Sequence, residues 1–145
     1  MEIFTIGFTQ KSADAFFGAL KRAGVGQLVD VRLNNKSQLS GFAKRGDLEY
    51  FLRVICGAIY SHEPLLAPTQ EMLRDYRRNL MTWPDYERMY NELLKTRSVG
   101  AQISRQRFDT PTVLLCSELK PDRCHRRLAA EYLARLWGDV VIVHL

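Results

Sequence analysis

Thr112-Val113-Leu114-Leu115-Cys116-Ser117-Glu118-Leu119-Lys120-Pro121-Asp122-Arg123-Cys124-His125-Arg126-Arg127 decides the fold. Its apolar start, bounded by turn residues, reads as a buried strand over Thr112–Cys116. A turn at Pro121 then opens a long helix, expected over 121–137. At about 100° per residue, His125, Leu128, Ala129, Tyr132 and Leu136 share one face of that helix, and Arg127, Glu131 and Arg135 the other. A strand running into a helix in this way is the repeating unit of a parallel α/β sheet.

The rest of the chain repeats that unit. Residues 3–6 form a short apolar strand ending at Gly7. Ser12 is placed to cap a helix over 13–23, with Phe16, Phe17, Leu20 and Ala23 at helical spacing and Gly24 as its stop. A second strand, 27–31, closes on Asp30-Val31-Arg32. After a polar loop over 33–46, Asp47 is expected to cap a helix over 48–56, and a third strand covers 58–61 before His62-Glu63-Pro64. Thr69 opens a helix to Asn79, and Trp83 with Pro84 opens another to Arg97. Residues 99–109 fit neither period, having only Ile103 and Phe108 as large apolar anchors. A closing strand lies over 140–144. The pattern predicts a single compact α/β domain, Rossmann-like, with a mainly parallel sheet of about five strands flanked by helices and right-handed crossovers.

At 145 residues, 46% apolar and 26% charged, the chain has the profile of a globular protein large enough for a real core. No apolar run approaches the roughly 20 residues of a membrane helix. Residues 3–6 are too short for the apolar region of a secretory signal, so no membrane partner and a cytoplasmic location are expected. The three cysteines, Cys56, Cys116 and Cys124, are an odd number in a chain that needs no covalent staples, which argues against a disulfide framework. The formal charge of +5 favours an anionic partner, although the arginines are dispersed.

In a parallel sheet all strands end on one edge, where ligands bind. The polar residues fall at those ends: Gly7 and Thr9, Asp30 and Arg32, His62 and Glu63, Cys116 and Glu118, with Tyr60 placed to line the same cleft as His62. His125 is placed on the sheet-facing side of the last helix's first turn, either as a proton donor or acceptor or as a histidine held by a backbone carbonyl. Arg126 is placed either to grip an anion at the helix N-terminus or to bridge to Glu118 or Asp122. Asp30 and Arg32 leave a strand on the same side, as an ion pair or as an acid beside an anion holder.

The thiols admit several readings. Cys116 and Cys124 with His125 lack the close cysteine spacing of a zinc site, so no metal is expected. The cysteine-plus-arginine loop of cysteine phosphatases and sulfurtransferases fails by one position, because Asp122 stands where Arg123 would be needed. Packing or ligand contact remains for both, and Cys56 belongs to the core. The glycine-rich dinucleotide fingerprint is absent, and the sequence identifies no cofactor.

Thr5-Ile6-Gly7-x-Thr9, Leu28-Val29-Asp30-Val31-Arg32, Leu115-Cys116-Ser117-Glu118 with Pro121 and Cys124-His125-Arg126-Arg127, and the terminal Val140–His144 segment together resemble the family called domain of unknown function 488. The resemblance spans nearly the whole chain. It implies a compact α/β domain with a polar site at Gly7, Thr9, Asp30, Arg32, Cys116, Glu118, Cys124, His125 and Arg126, and it implies no reaction. Thr9 keeps the hydroxyl of the serine many members carry, while Asn34-Asn35 replaces a more proline-rich loop.

The leading expectation is a small enzyme acting on a phosphate-bearing ligand, a nucleotide or nucleic acid. Asp30, Glu118 and His125 are its catalytic candidates, and Gly7, Thr9, Arg32, Cys116, Cys124 and Arg126 are its ligand-binding ones. The alternatives are a non-catalytic nucleotide- or nucleic-acid-binding module and a redox or sulfur-transfer protein.

Overall fold

The computed structural model describes residues 1–145, except the side chains at positions 38–40. Five strands form one sheet: β1 (Glu2–Gly7), β2 (Gln27–Asp30), β3 (Ile59–His62), β4 (Thr112–Cys116) and β5 (Val141–His144). Their order is β3-β2-β4-β1-β5, and every pairing is parallel. β4 therefore sits at the centre, with Gly7 opposite Cys116 on one side and Asp30 opposite Leu115 on the other.

Helices cover both faces. α1 (Ala13–Arg22) and α2 (Arg45–Phe51), which runs on into a π turn over Leu52–Cys56, lie on one face. Phe16, Phe17, Leu20, Leu48 and Leu52 pack there on Phe4, Ile6, Leu28, Val113 and Leu115. α3 (Gln70–Arg77), α4 (Trp83–Thr96), the short α5 (Val99–Gln102) and α6 (His125–Trp137) lie on the other. There Tyr86, Tyr90, Leu94, Leu128, Ala129 and Leu133 pack on Ile3, Val29, Leu114 and Cys116. Alternate residues of each strand feed alternate cores, as the two-residue side-chain period requires.

The caps explain where most helices begin. The hydroxyls of Ser12, Thr69 and Thr82 accept from the backbone N–H of Ala15, Met72 and Asp85, an interaction that stabilises a helix start by about 1 kcal/mol each. α1 stops where expected, at Gly24 with φ +64°.

Two helix starts differ from the sequence reading. α2 begins at Arg45 rather than behind Asp47, whose carboxylate instead sits in the first turn, 3.9 Å from Lys44. There it complements the helix dipole without capping it. α6 begins at His125, because Cys124 is extended (φ −138°, ψ 136°) and residues 121–123 form a turn closed by the Cys124 N–H on the Pro121 carbonyl. Residues 99–109, ambiguous by period, split into α5 and a 3-10 turn at Arg105–Phe108 that buries Phe108. Among the described residues, no helix is long and apolar enough to cross a membrane.

Candidate functional site

A cavity of about 730 Å³ opens beyond the C-terminal ends of β2 and β4, on the α4–α6 side of the sheet. Cys116, Cys124 and His125 line it, all buried, with Arg32 at one wall and Glu118 at the rim. The opposite wall comes from α3 and from the start of α4, with Tyr76, Arg77, Trp83 and Tyr86. The volume lies within the range of small-molecule sites.

Cys116 arrives through β4 and Cys124 and His125 through the start of α6, with residues 117–123 folding back between them. The Cys116 and Cys124 sulfurs and a His125 ring nitrogen lie within 4.8 Å of one another. Cys116 and Cys124 are far apart in linear spacing, and the turn over residues 117–123 brings them together. The Cys116 sulfur stands 3.6 Å from Nδ1 and 3.7 Å from Nε2 of His125. His125 Nε2 donates to the Val31 carbonyl at 2.8 Å. A carbonyl only accepts, so a neutral ring carries its proton on Nε2 and leaves the Nδ1 lone pair free.

The two thiols are unequal. A hydrogen bond from the Cys124 thiol pulls the Cys116 pKa down, overcoming burial, with help from the Ser117 and Glu118 N–H groups and the Arg126 charge. Cys124 is pushed well up by that same hydrogen bond and by burial. Of the two, Cys116 is the thiol that gives up its proton first.

Arg32 is 3% exposed and pairs with the fully buried Asp30, with Nε to Oδ1 at 2.9 Å and Nη2 to Oδ2 at 2.8 Å. Nη2 also reaches the Ala43 carbonyl at 2.7 Å, while Nη1 is buried with no acceptor among the described residues. The guanidinium lies 5.2 Å from the Phe8 ring centre. Glu118, exposed at the rim, has no ion-pair partner for its carboxylate among the described residues, and the same holds for the exposed Arg77 and Arg123.

Several expected site residues do not reach this cavity. Asp30 shares strand parity with Leu28, whose side chain packs on the α1–α2 face, whereas Cys116 shares parity with Leu114 on the other face. The two sets meet at one sheet edge but on opposite sides. Asp30 also accepts from Tyr60 Oη at 2.7 Å and from the Arg32 N–H at 3.1 Å, so its oxygens are occupied and it positions Arg32 rather than facing a ligand. Tyr60 is correspondingly pushed well above its ordinary pKa, by burial first and then by the Asp30 charge. His62 likewise turns to the chain, with Nε2 2.8 Å from the Arg32 carbonyl.

Arg126 is 1% exposed and is held by main-chain carbonyls. Its Nη1 donates to the Glu118 carbonyl and its Nη2 to the Leu119 carbonyl at 3.2 Å, fixing the turn after β4. Gly7 serves the same turn, since a Cβ there would overlap the Glu118 carbonyl oxygen. Thr9 ties in through its backbone, its N–H donating to the Ser117 carbonyl at 3.1 Å, and its exposed side chain lies away from the cavity. Cys56 is half-buried against the Phe17 carbonyl, far from this chemistry.

The wall residues were missed by sequence reasoning. Tyr76, Arg77 and Trp83 read locally as two ordinary helices. The available signal was the aromatic spacing Trp83, Tyr86, Tyr90 on one face of α4, which the structure shows as a stacked series: Trp83 and Tyr86 are 5.2 Å apart at 17°, Tyr86 and Tyr90 6.4 Å apart at 5°.

Fold and site together define a parallel α/β domain with a polar cavity at the carboxyl edge of its sheet. Among protein families, the model described as Domain of unknown function DUF488 matches residues 12–133, and the chain belongs to that family. No curated protein and no solved structure matches it.

Proposed function

We propose that the protein is an enzyme acting on a phosphate-bearing ligand, a nucleotide or a nucleic-acid end, seated in the cavity beside Arg32. The observation that carries this reading is the pair Arg77 and Arg123, exposed on the cavity lining with no carboxylate partner among the described residues. They set positive potential at the mouth, and Trp83 offers an aromatic ring on which a base can stack.

Glu118 is the group suited to moving a proton at the rim, and the thiol–imidazole floor supplies the second reactive centre. The ligand binds through charge and stacking, so affinity falls with salt.

The test is Trp fluorescence and calorimetry with adenosine, its mono-, di- and triphosphates, and a 5′-phosphorylated oligonucleotide, with products followed by chromatography. Phosphate-bearing ligands are expected to bind, adenosine to bind at least about tenfold more weakly, and Arg77→Gln with Arg123→Gln to lower affinity about tenfold. Glu118→Gln is expected to bind and not to turn over. Binding by none of the phosphorylated ligands would overturn the reading. Binding without turnover by the native protein would leave a recognition module in place of an enzyme.

A further inference from the structure

We propose that Cys116, Cys124 and His125 bind a zinc ion at the cavity floor, leaving its fourth coordination position open to the cavity. Two thiolates and an imidazole are the donor set that suits this ion, and three protein ligands with one open position mark a reactive site rather than a closed structural one.

Distance supports the assignment. Donors about 2.3 Å (sulfur) and about 2.0 Å (nitrogen) from one tetrahedral zinc stand roughly 3.5 Å apart. The Cys116 sulfur and His125 Nδ1 are 3.6 Å apart, and all three donor atoms fall within 4.8 Å of each other. Because the Cys116 sulfur is also 3.7 Å from Nε2, it faces the ring rather than the Nδ1 lone pair. Loading therefore requires the imidazole to rotate about its bond to Val31 until Nδ1 points at the sulfurs.

The surroundings are those of a metal site. The Nε2–H bond to the Val31 carbonyl fixes the tautomer that presents Nδ1. The Arg126 Nη1 lies 3.6 Å from the Cys124 sulfur. This donor offsets thiolate charge on the protein side. All three ligand residues line the cavity, so the remaining position faces open space. Zinc with two thiolates and a neutral imidazole is electrically neutral, which suits a floor whose ligands are nearly excluded from solvent.

The site stands on this geometry alone. Its use as a Lewis acid toward a phosphate oxygen or a water rests on the proposed function, with Glu118 at the rim to take the proton.

The experiment uses untagged full-length protein, freed of metal by chelation under reducing conditions and reloaded. Elemental analysis is expected to give one zinc per chain. Cobalt substitution is expected to give a thiolate charge-transfer band with the strong visible bands of a tetrahedral site. Cys116→Ser and Cys124→Ser are each expected to weaken zinc binding by more than about 100-fold and to reduce the charge-transfer band, while Cys56→Ser changes neither.

Should either serine variant fail to fold, alkylation of the native protein with iodoacetamide and peptide mapping gives the answer, with zinc expected to protect Cys116 and Cys124. Zinc retained by both serine variants, no protection, or a Cys116–Cys124 disulfide in metal-treated protein would overturn the site. None of these measurements involves a nucleotide, so the metal and ligand assignments fail independently.

Discussion

Asp30 and Arg32 form a two-point ion pair at the end of β2, with both side chains withdrawn from solvent. The pair costs desolvation on both sides and is satisfied only as a unit, with Tyr60 completing the carboxylate.

Breaking that unit from one side is therefore severe. Asp30→Asn is expected to destabilise the protein by about 3–5 kcal/mol, since Arg32 stays buried without its counter-charge. The double variant Asp30→Asn with Arg32→Met is expected to lose less than the sum of the single variants. Urea unfolding of the four-protein cycle measures the coupling, and additive losses would show that the pair does not act as a unit.

Gly7→Ala forces a methyl group into the Glu118 carbonyl, so the backbone of β1 or of the turn must shift. A loss of about 3 kcal/mol is expected, in the range of overpacked cores. Unchanged unfolding midpoints would show that the turn after β4 moves freely.

Arg126→Lys keeps the charge and loses the fork that spans the Glu118 and Leu119 carbonyls. A loss of about 2 kcal/mol is expected, with earlier proteolysis in residues 117–123. Wild-type stability and cleavage pattern would show that charge alone suffices.

His144 pairs with the buried Thr5 hydroxyl at 2.6 Å, and its pKa is held below 6.5 by burial first, then by Arg126 and Arg127. The unfolded chain therefore binds the proton more readily than the folded one. Stability from this group is complete above about pH 6.5 and is lost as pH falls through the lowered value. His144→Gln is expected to flatten the decline between pH 7 and pH 5 (about two units of acidification) in thermal melts. The group is largely solvent-exposed, so the change is small, and an unaltered slope would assign the decline elsewhere.

Much of the fold was legible because local signals and burial agree: Thr112–Cys116 is a strand as read, and Ser12, Thr69 and Gly24 mark helix ends as their chemistry dictates. The convergence of polar residues on one sheet edge was legible too. What was hidden is register. Asp30 lies opposite Leu115, not Cys116, and that single offset puts the acid and the thiol on different faces. The role of Arg126 was hidden for a related reason, because its partners are carbonyls of a turn whose path no local pattern specifies. The walls from α3 and α4 depend on how a helical excursion docks, which periodicity alone does not encode.

The chamber is built from two sources. Its base hangs from the central strand and the first turn of α6, whereas its outer side is supplied by the excursion between β3 and β4. Substitutions at Tyr76, Arg77 or Trp83 can thus reshape that outer side while Cys116, Cys124 and His125 stay in place. An architecture divided in this way lets the lining vary without rebuilding the sheet beneath it.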